Sequence, residues 1–508
     1  MASTDTSTDS AHRLPVVLYA LPVLVAALAA AFYSRFWLSH DDSWYLVATR
    51  KFLDGQQLYV DIMEVNPPLN FYLTAPALLF ADLTGLSDTV ALVLQTCMLC
   101  GLSGLWVLRL LRKSNLQLAA QGVTFATCLG GLFLLPIGEL AQREHMLLIF
   151  GMPYLTYAII GRERIGIGKA EAFLLGLVAT LGFALKPYFL LIAAGIVLAG
   201  PFKGVIRRSF EPANLGLATG LVCFAAFTII VHPEFFSDIL DVARKIYWVY
   251  GEDSTRVLFR LETVGLFLFT LLLFHRGFAG DPVSLRYVGA GAGALVSYLI
   301  QFKGWDYQIL PLSYFLMAGA GWLAVEKGIF ARREVAPAVL VLLIACFTFG
   351  KELAEGPYRP ASVDAFTPFV QNEGETIMVY STNVYASFPF VNAVGGRWAS
   401  RYPAQWTIPG ALIATRRGTC LDKRDGCGEY EAILANARSA NTEDFLRYRP
   451  DVVFVDIRED KSYFHGEHFD YLAFQGEDPR FRQAWLQYRM VGRVGEAYAV
   501  WRRREGAE

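Results

Sequence analysis

The sequence has almost no net charge and few charges within its long apolar runs. Its 45 Lys and Arg residues are balanced by 46 Asp and Glu residues, which gives a formal net charge of −1. A chain without a positive excess gives no case for nucleic acid or another polyanion as its partner. The scarcity of charges within the apolar runs argues against a proton-coupled pump, because such a pump needs a relay of carboxylates inside the membrane.

Cysteine is scarce as well, with 7 residues among 508. Five of the cysteines lie within apolar runs, where we expect them to pack as small apolar side chains. Cys420 and Cys427 differ, because they lie in the polar C-terminal region at a spacing that allows a short disulfide loop. A disulfide there requires an oxidising compartment.

Hydrophobic residues, by contrast, make up 54% of the chain. Apolar runs of roughly 15 to 23 residues recur between residues 14 and 349, and this length matches the hydrocarbon core of a bilayer. No small-residue cleavage site follows the first run, so we expect an uncleaved signal anchor. The predicted membrane spans are 14–34, 87–109, 116–136, 146–160, 170–185, 187–201, 212–231, 259–274, 285–301, 308–325 and 335–350.

The side on which each loop lies depends on whether the apolar segment 67–81 crosses the membrane. Basic residues favour the cytoplasmic side. If 67–81 does not cross, all the basic clusters fall on that side: Arg109/Arg112/Lys113, Arg162/Arg164/Lys169, Lys203/Arg207/Arg208, Arg276/Arg286 and Lys327/Arg332/Arg333. We therefore expect 67–81 to dip into the outer leaflet or lie along it, which leaves about eleven transmembrane helices.

This topology predicts a cytoplasmic tail at 1–13, a transmembrane region at 14–350 and a soluble outer domain at 351–508. In the outer domain, Thr376–Tyr380 and 451–455 are short runs rich in β-branched residues, which is typical of buried strands. Helical patterns lie between and after them. The predicted fold is therefore a multi-span α-helical membrane protein with a small C-terminal α/β domain.

The first outer segment begins with two adjacent carboxylates. Ser39 is a typical N-cap for a helix that Gly55 ends. Asp41 and Asp42 fall in the first turn of this helix, where the helix dipole favours the ionised carboxylate that a general base must be. The alternative is that both aspartates are capping residues in a solvated loop.

One face of the same helix carries Tyr45, Ala48, Thr49 and Phe52, while charged residues lie elsewhere. Such a pattern is typical of a helix that lies flat at a membrane interface. We therefore predict interfacial helices in the first outer loop.

A second polar cluster, Gln142-Arg143-Glu144-His145, lies between two predicted spans. An adjacent Glu and His can contribute to a metal site, and Arg143 can hold a phosphate with two parallel hydrogen bonds. Two ligands fall short of a complete metal site, so a charged turn at the membrane edge is the alternative.

Lys186 lies in a very short turn between two apolar runs. Its ammonium either snorkels to the interface or neutralises an anion in the outer leaflet. The outer turn at 303–307 places Lys303 and Asp306 beside two aromatic residues, Trp305 and Tyr307. These aromatics are equally typical of the belt that lies at a membrane interface.

Four motifs in this order resemble a known family. Asp41-Asp42-Ser43-Trp44-Tyr45, with Ala48, Arg50, Leu53 and Gly55 after it, resembles the first-loop signature of the membrane-embedded GT-C glycosyltransferases of the protein mannosyltransferase and lipid A aminoarabinose transferase type. Asn66-Pro67-Pro68-Leu69 resembles the family's Lys-Pro-Pro-Leu, with Asn in place of Lys. The runs at 182–187 and 307–312 resemble its Lys-Gly-Pro-type turn and its late Tyr/Pro motif. The C-terminal domain has no match.

The resemblance implies an inverting hexosyl- or pentosyltransferase that takes a sugar from a polyprenyl-phosphate donor. The acceptor would be a lipid or glycan of the cell envelope, reached at the periplasmic face of the bacterial inner membrane. The protein would lie among membrane lipids with its N-terminus cytoplasmic and its C-terminal domain periplasmic. Asp41 matches the first acidic residue of the motif and would be the general base.

The other candidate residues follow from the needs of this reaction. The leaving phosphate needs cations placed in advance, and these are Lys186, with Arg143 and Lys303 as helpers. Cations alone can stabilise a phosphate, so no cofactor is required; a divalent metal ion is the alternative, with Glu144 and His145 as its ligands. The acceptor or metal candidates are Asp42, Glu144 and His145, and the other residues expected to line the site are Tyr45, Trp305, Asp306 and Tyr307.

Two other functions stay open. A polymerase or ligase of lipid-linked glycans would use a long outer loop rich in arginine, whereas the loop at 232–258 is short. A non-enzymatic transporter of lipid or glycan would need polar residues at mid-membrane depth, in which the spans are poor. The position of Asn66, where the family has lysine, leaves one phosphate or acceptor contact to another residue.

Overall fold

The computed structural model describes residues 14–199, 202–275, 281–326, 343, 346–347, 350–421 and 426–504. The predicted cytoplasmic tail at 1–13 lies outside these residues, as does most of the predicted span 335–350. The described residues are mostly helical and contain a five-stranded sheet near the C-terminus.

Helices make up most of the chain before residue 327. In chain order they are α1 (Ala20–Tyr33), α2 (His40–Leu53), α3 (Leu69–Thr84), α4 (Asp88–Arg112), α5 (Leu118–Phe133), α6 (Arg143–Ile160), α7 (Lys169–Phe183), α8 (Leu190–Leu198), α9 (Val205–Ser209), α10 (Pro212–Val231), α11 (Leu240–Ile246), α12 (Ser254–Leu258), α13 (Leu261–His275), α14 (Pro282–Gln301) and α15 (Asp306–Glu326). The segment 67–81, predicted as a helix that does not cross, corresponds to α3.

Several of these helices match predicted spans in length and composition. Among the described residues, those long and apolar enough to cross a membrane are Val16–Tyr33, Asp88–Arg112, Pro212–Val231, Pro282–Gln301 and Asp306–Val325. Shorter apolar helices cover Leu118–Phe133, Pro187–Leu198 and Leu261–Leu271. These helices support an integral membrane protein, as predicted, and the number of about eleven spans stays a prediction.

The chain forms two compact units. The first, which we call the helical unit, comprises Met1–Phe36, Thr84–Phe227 and Gly251–Tyr358. The second, which we call the mixed unit, comprises Trp37–Leu83, Thr228–Tyr250 and Arg359–Glu508. The mixed unit thus joins residues 37–83 and 228–250 to the C-terminal region. The predicted domain boundaries at residues 13 and 350 stay predictions.

In the helical unit, α6 is buried along almost its whole length. It packs against α4 and α7, while α14 packs against α8 and α15. Helices α8 and α14 approach closely because glycines face each other: a Cβ added at Gly195 would meet the backbone oxygen of Gly289 at 2.0 Å. Close helix contacts through small residues are typical of membrane proteins.

The sheet of the mixed unit has the strand order β2-β1-β3-β5-β4. Its strands are β1 (Thr376–Tyr380), β2 (Arg397–Trp398), β3 (Val452–Asp456), β4 (Tyr488–Val494) and β5 (Tyr498–Arg503). Strand β1 is parallel to β2 and β3, while β5 is antiparallel to both β3 and β4. Both strands predicted from the sequence, β1 and β3, are confirmed and are buried at every position.

Helices lie between and after the strands of this sheet, as the sequence predicted. They are α16 (Ala361–Phe366), α17 (Phe390–Ala393), α18 (Ile408–Arg417), α19 (Gly428–Tyr448), α20 (Tyr471–Gln475) and α21 (Pro479–Trp485). The disulfide between Cys420 and Cys427 is present, with 5.6 Å between the two Cα atoms, and it lies just before α19.

The apolar face of α2 is used differently from the prediction. Trp44, Tyr45 and Ala48 are buried in one cluster with residues of the sheet, including Val379 and Phe454. The interfacial placement predicted for this face is therefore wrong, because protein covers it. An amphipathic pattern shows only that one face is apolar, and a sheet buries such a face as well as a lipid surface does.

Candidate functional site

The first turn of α2 separates the two aspartates by burial. Ser39 is the N-cap: its hydroxyl donates to Asp42 Oδ2 at 2.7 Å and accepts from the Asp42 backbone N–H at 3.5 Å. Asp42 is only 3% exposed. The Asp41 side chain is 22% exposed, and its Oδ1 lies 3.5 Å from His40 Nε2. Asp42 is thus buried against the Ser39 N-cap, whereas the carboxylate of Asp41 is accessible.

Glu64 is a buried carboxylate that was not predicted from the sequence, and it links α2 to Asn66. Glu64 accepts a hydrogen bond from Trp44 Nε1 at 2.8 Å and another from the Asn66 backbone N–H at 3.0 Å. The Asn66 side chain also donates to Glu64. Asn66 is therefore held in place by Glu64. A lone glutamate just before Asn-Pro-Pro was the available signal.

Tyr45 packs in the same apolar cluster as Trp44. Its ring meets that of Phe71 edge to face, with 5.3 Å between the centroids, and the side chain is 2% exposed. The sequence predicts that Tyr45 lines the site, whereas the structure places it in the core of the mixed unit, where it supports α2.

Lys51, near the other end of α2, is a buried cation that sequence reasoning also missed. Its Nζ donates to the Ser400 backbone oxygen at 2.7 Å and lies 5.0 Å from the centre of the Tyr448 ring. Burial lowers the pKa of Lys51 to about 8, against the opposing effect of the Asp444 carboxylate. A lysine in the last turn of an amphipathic helix looks like a solvated charge in sequence, so no local signal marked it.

In the helical unit, Lys186 forms a buried ion pair with Glu144. Lys186 Nζ lies 2.6 Å from Glu144 Oε1, and the two side chains are 3% and 0% exposed. Gly182 makes this contact possible, because a Cβ there would lie 2.8 Å from Leu147 Cα. Its lack of a side chain lets the end of α7 approach the start of α6.

Gln301, at the end of α14, joins the same cluster. Its Oε1 accepts from Tyr188 Oη at 2.8 Å and from Gln308 Nε2 at 2.7 Å, and it lies 3.5 Å from Lys186 Nζ. The close packing of α8 against α14 brings Gln301 to this position. Tyr307 completes the cluster, with its ring centre 5.1 Å from Lys186 Nζ. Of the predicted residues, the structure thus brings together Lys186, Glu144 and Tyr307.

His145 is unsuited to the predicted metal site. Its Nδ1 accepts from the Ala141 backbone N–H at 3.2 Å, and its Nε2 lies 2.9 Å from the Leu132 backbone oxygen, to which it donates in the matching tautomer. In this tautomer both ring nitrogens are used by the backbone, and neither has a free lone pair for a metal. The described part of the chain has no group of three or more His, Cys, Asp or Glu that could hold an ion.

The remaining predicted residues also lie in the helical unit. Arg143 is buried at the start of α6. The Lys303 ammonium lies 4.5 Å from the centre of the Trp305 ring, which in turn lies 5.7 Å from that of Tyr307. Asp306 is exposed and pairs with Arg260 at 2.7 Å. The predicted set is thus divided, with Asp41, Asp42 and Tyr45 in the mixed unit and the others in the helical unit.

No family model and no curated protein matches this chain. Among solved structures, the chain is similar to ArnT from Cupriavidus metallidurans bound to undecaprenyl phosphate, with 12% identity, a TM-score of 0.46, and 96% of this chain and 97% of that chain covered. It is also similar to the Archaeoglobus fulgidus oligosaccharyltransferase in complex with Zn and sulfate, with 13% identity, a TM-score of 0.44, and coverages of 93% and 71%. At these values the likeness assigns no role to any residue of this chain.

Proposed function

We propose that this chain is an inverting GT-C-type glycosyltransferase that moves a sugar from a polyprenyl-phosphate donor to a cell-envelope acceptor at the periplasmic face of the inner membrane. The observation that carries the proposal is the difference between the paired aspartates. Asp42 is buried and accepts a hydrogen bond from the Ser39 hydroxyl, while the Asp41 carboxylate is accessible in the first turn of α2. The four motifs that resemble this family in order support the same class.

The proposed reaction is a single displacement. Asp41 takes the proton of the acceptor hydroxyl while the hydroxyl oxygen attacks the anomeric carbon of the donor sugar. The bond between the anomeric carbon and the phosphate oxygen breaks at the same time, and its electron pair leaves with the polyprenyl phosphate. The new bond forms on the opposite face of the sugar ring, so the anomeric configuration inverts. Asp41 lies in the first turn of α2, where the helix dipole favours negative charge.

The negative charge that grows on the leaving phosphate needs a fixed cation, and we assign this role to Lys186. An ammonium buried to 3% exposure is costly unless a counter-ion holds it, and Glu144 supplies that counter-ion. A cation held in place before the reaction stabilises developing charge without further reorganisation. Arg143 and Lys303 are proposed as helpers, and Trp305, Tyr307 and Asp306 as lining residues.

The proposed chemistry needs no metal ion. Glu144 Oε1 is engaged by Lys186, and the ring nitrogens of His145 are engaged by the backbone. We therefore propose that Glu144 positions Lys186 and that His145 stabilises the fold around α6. The disulfide between Cys420 and Cys427 supports a periplasmic place for the C-terminal region, because disulfides persist in oxidising compartments.

The first test is an Asp41→Asn variant in proteoliposomes supplied with a panel of polyprenyl-phosphate hexoses and pentoses and an extract of cell-envelope acceptors. We expect kcat to fall by roughly 10²- to 10⁴-fold, the usual contribution of a general base. Asp54→Asn is the matched control, because Asp54 is an exposed carboxylate just after the same helix. It should keep wild-type activity.

Full activity of Asp41→Asn would remove Asp41 as the base. A wild-type protein that releases no polyprenyl phosphate from any donor of the panel would contradict the proposed function itself. Mass spectrometry of the envelope glycans from wild-type and deletion strains identifies the sugar, which should be missing from one glycan of the deletion strain.

A further inference from the structure

A short segment of the C-terminal region, 384–392, contacts the first turn of α2. The segment contains a 3₁₀ turn, Val384–Ala386, followed by α17. The Tyr385 ring lies against the His40 ring, with 3.8 Å between their centroids. His40 Nε2 in turn lies 3.5 Å from Asp41 Oδ1. Tyr385, which follows Asp41 by more than 300 positions, thus holds the His40 ring beside the proposed base.

Two more contacts reach the same turn from the same segment. Asn392 Nδ2 donates a hydrogen bond to the Ser43 backbone oxygen at 3.1 Å. The Phe388 ring packs on the Trp44 ring with 5.5 Å between centroids. The segment therefore holds His40, Ser43 and Trp44, the residues that flank the two aspartates.

The first turn of a helix needs such support. Its leading N–H groups have no partners within the helix, so this turn frays more readily than the helix interior. A general base, however, acts only when its carboxylate is aligned with the hydroxyl that it deprotonates. A displacement of about 1 Å at a catalytic group can reduce the rate by about 10²-fold.

We propose that the segment 384–392 is the positioning element for Asp41, with Tyr385 and Asn392 as its positioning residues. This inference rests on the proposed function of Asp41 as general base. Tyr385 fixes the His40 ring against the Asp41 carboxylate, and Asn392 fixes the backbone of the same turn. The C-terminal region is thereby part of the catalytic apparatus although it supplies no reacting group.

The activity test uses full-length variants in the proteoliposome assay. Tyr385→Ala removes the ring, and Asn392→Ala removes the hydrogen bond to Ser43. We expect kcat to fall by about 10- to 100-fold in each, with KM for the donor within about twofold of wild type, because the substrate contacts are unchanged. Tyr385→Phe keeps the ring, so its kcat should be higher than that of Tyr385→Ala and close to that of wild type.

Asn372→Ala is the matched control for Asn392→Ala. Asn372 is an exposed asparagine of the same unit, whose side chain donates to Glu375 instead of to α2. It should leave kcat unchanged.

The second readout does not depend on activity. Amide hydrogen exchange of residues 43–46 should be about fivefold faster in Tyr385→Ala and in Asn392→Ala than in wild type, since each loses about one stabilising contact. The Asn372→Ala protein should exchange at the wild-type rate in the same peptide. Faster exchange together with a lower kcat supports the proposal.

Unchanged exchange in both variants overturns the positioning role, and so does faster exchange with an unchanged kcat. Either result leaves the proposed transferase standing as long as Asp41→Asn is inactive. A wild-type protein without transferase activity overturns the proposed function, and the positioning role is rejected with it.

Discussion

Lys186 and Glu144 each compensate the buried charge of the other. The ammonium and the carboxylate lie 2.6 Å apart and are almost fully enclosed. Removal of either partner leaves a charge in a medium that solvates it poorly. The pair is therefore expected to be needed for folding as well as for the proposed binding of phosphate, and these two roles must be separated by experiment.

We predict that Lys186→Met lowers the free energy of unfolding by about 3–5 kcal/mol, because Glu144 is left as an uncompensated buried charge. The double variant Lys186→Met/Glu144→Gln should recover most of this loss, since no charge is left. Thermal unfolding of the detergent-solubilised proteins measures both effects. The double variant should be folded and yet inactive. Losses that simply add in the double variant would contradict the pairing, and an active double variant would remove Lys186 from the mechanism.

At the scale of one element, α2 carries the proposed base at one end and a buried lysine at the other. The helix has 14 residues, so its ends are about 20 Å apart. Its apolar face packs in the core of the mixed unit between these ends. The helix is thus fixed at Ser39, along its face and at Lys51, which is the rigidity that an aligned general base requires.

Lys51 makes the stability of the mixed unit depend on pH. Its pKa in the folded protein is about 8, below the ordinary lysine value of 10.5. Between these values the unfolded chain binds more protons, so stability rises as the pH increases from about 8 to 10.5. The difference between these two pKa values corresponds to about 3 kcal/mol. Below pH 8 the cost of burying the charge is fully present.

The variant Lys51→Met should remove this dependence. We expect it to gain stability relative to wild type at pH 7, and this gain should decline toward pH 10.5 as the wild-type lysine loses its proton. Thermal unfolding of both proteins from pH 7 to 10.5 measures the difference. Parallel curves for the two proteins would show that Lys51 does not titrate in this window.

At the scale of the whole molecule, the disulfide links the fold to a compartment. Cys420 and Cys427 enclose a short loop before α19. Closing a loop of this length contributes about 2 kcal/mol through the entropy of the unfolded chain. The proposed periplasmic location therefore has a chemical consequence that can be measured in cells.

We predict that Cys420 and Cys427 resist alkylation by maleimide in spheroplasts until a membrane-impermeant reductant is added. A protein that carries Ser at both positions should lose about 2 kcal/mol of unfolding free energy. A variant in which the other five cysteines are replaced is the appropriate background for labelling. Labelling without reductant would contradict an oxidising location for the C-terminal region.

Local features of this protein were predictable from its sequence. The apolar helices, the buried strands Thr376–Tyr380 and Val452–Asp456, and the N-cap at Ser39 each depend on a short stretch of chain. Their physical causes are side-chain periodicity and the unpaired N–H groups at a helix start, which neighbouring residues determine. The disulfide was also predictable, because its two cysteines are only seven positions apart.

Only the tertiary structure decided which distant residues meet. Glu144 contacts Lys186 because Gly182 lets α6 and α7 approach each other. The ring nitrogens of His145 are hydrogen-bonded to backbone groups of Leu132 and Ala141, so they are not available to a metal ion. The face of α2 that the sequence marked as amphipathic is covered by a sheet formed more than 300 residues later. A pattern of apolar and polar residues predicts that one face of a helix is buried, but only the tertiary packing determines which part of the chain covers that face.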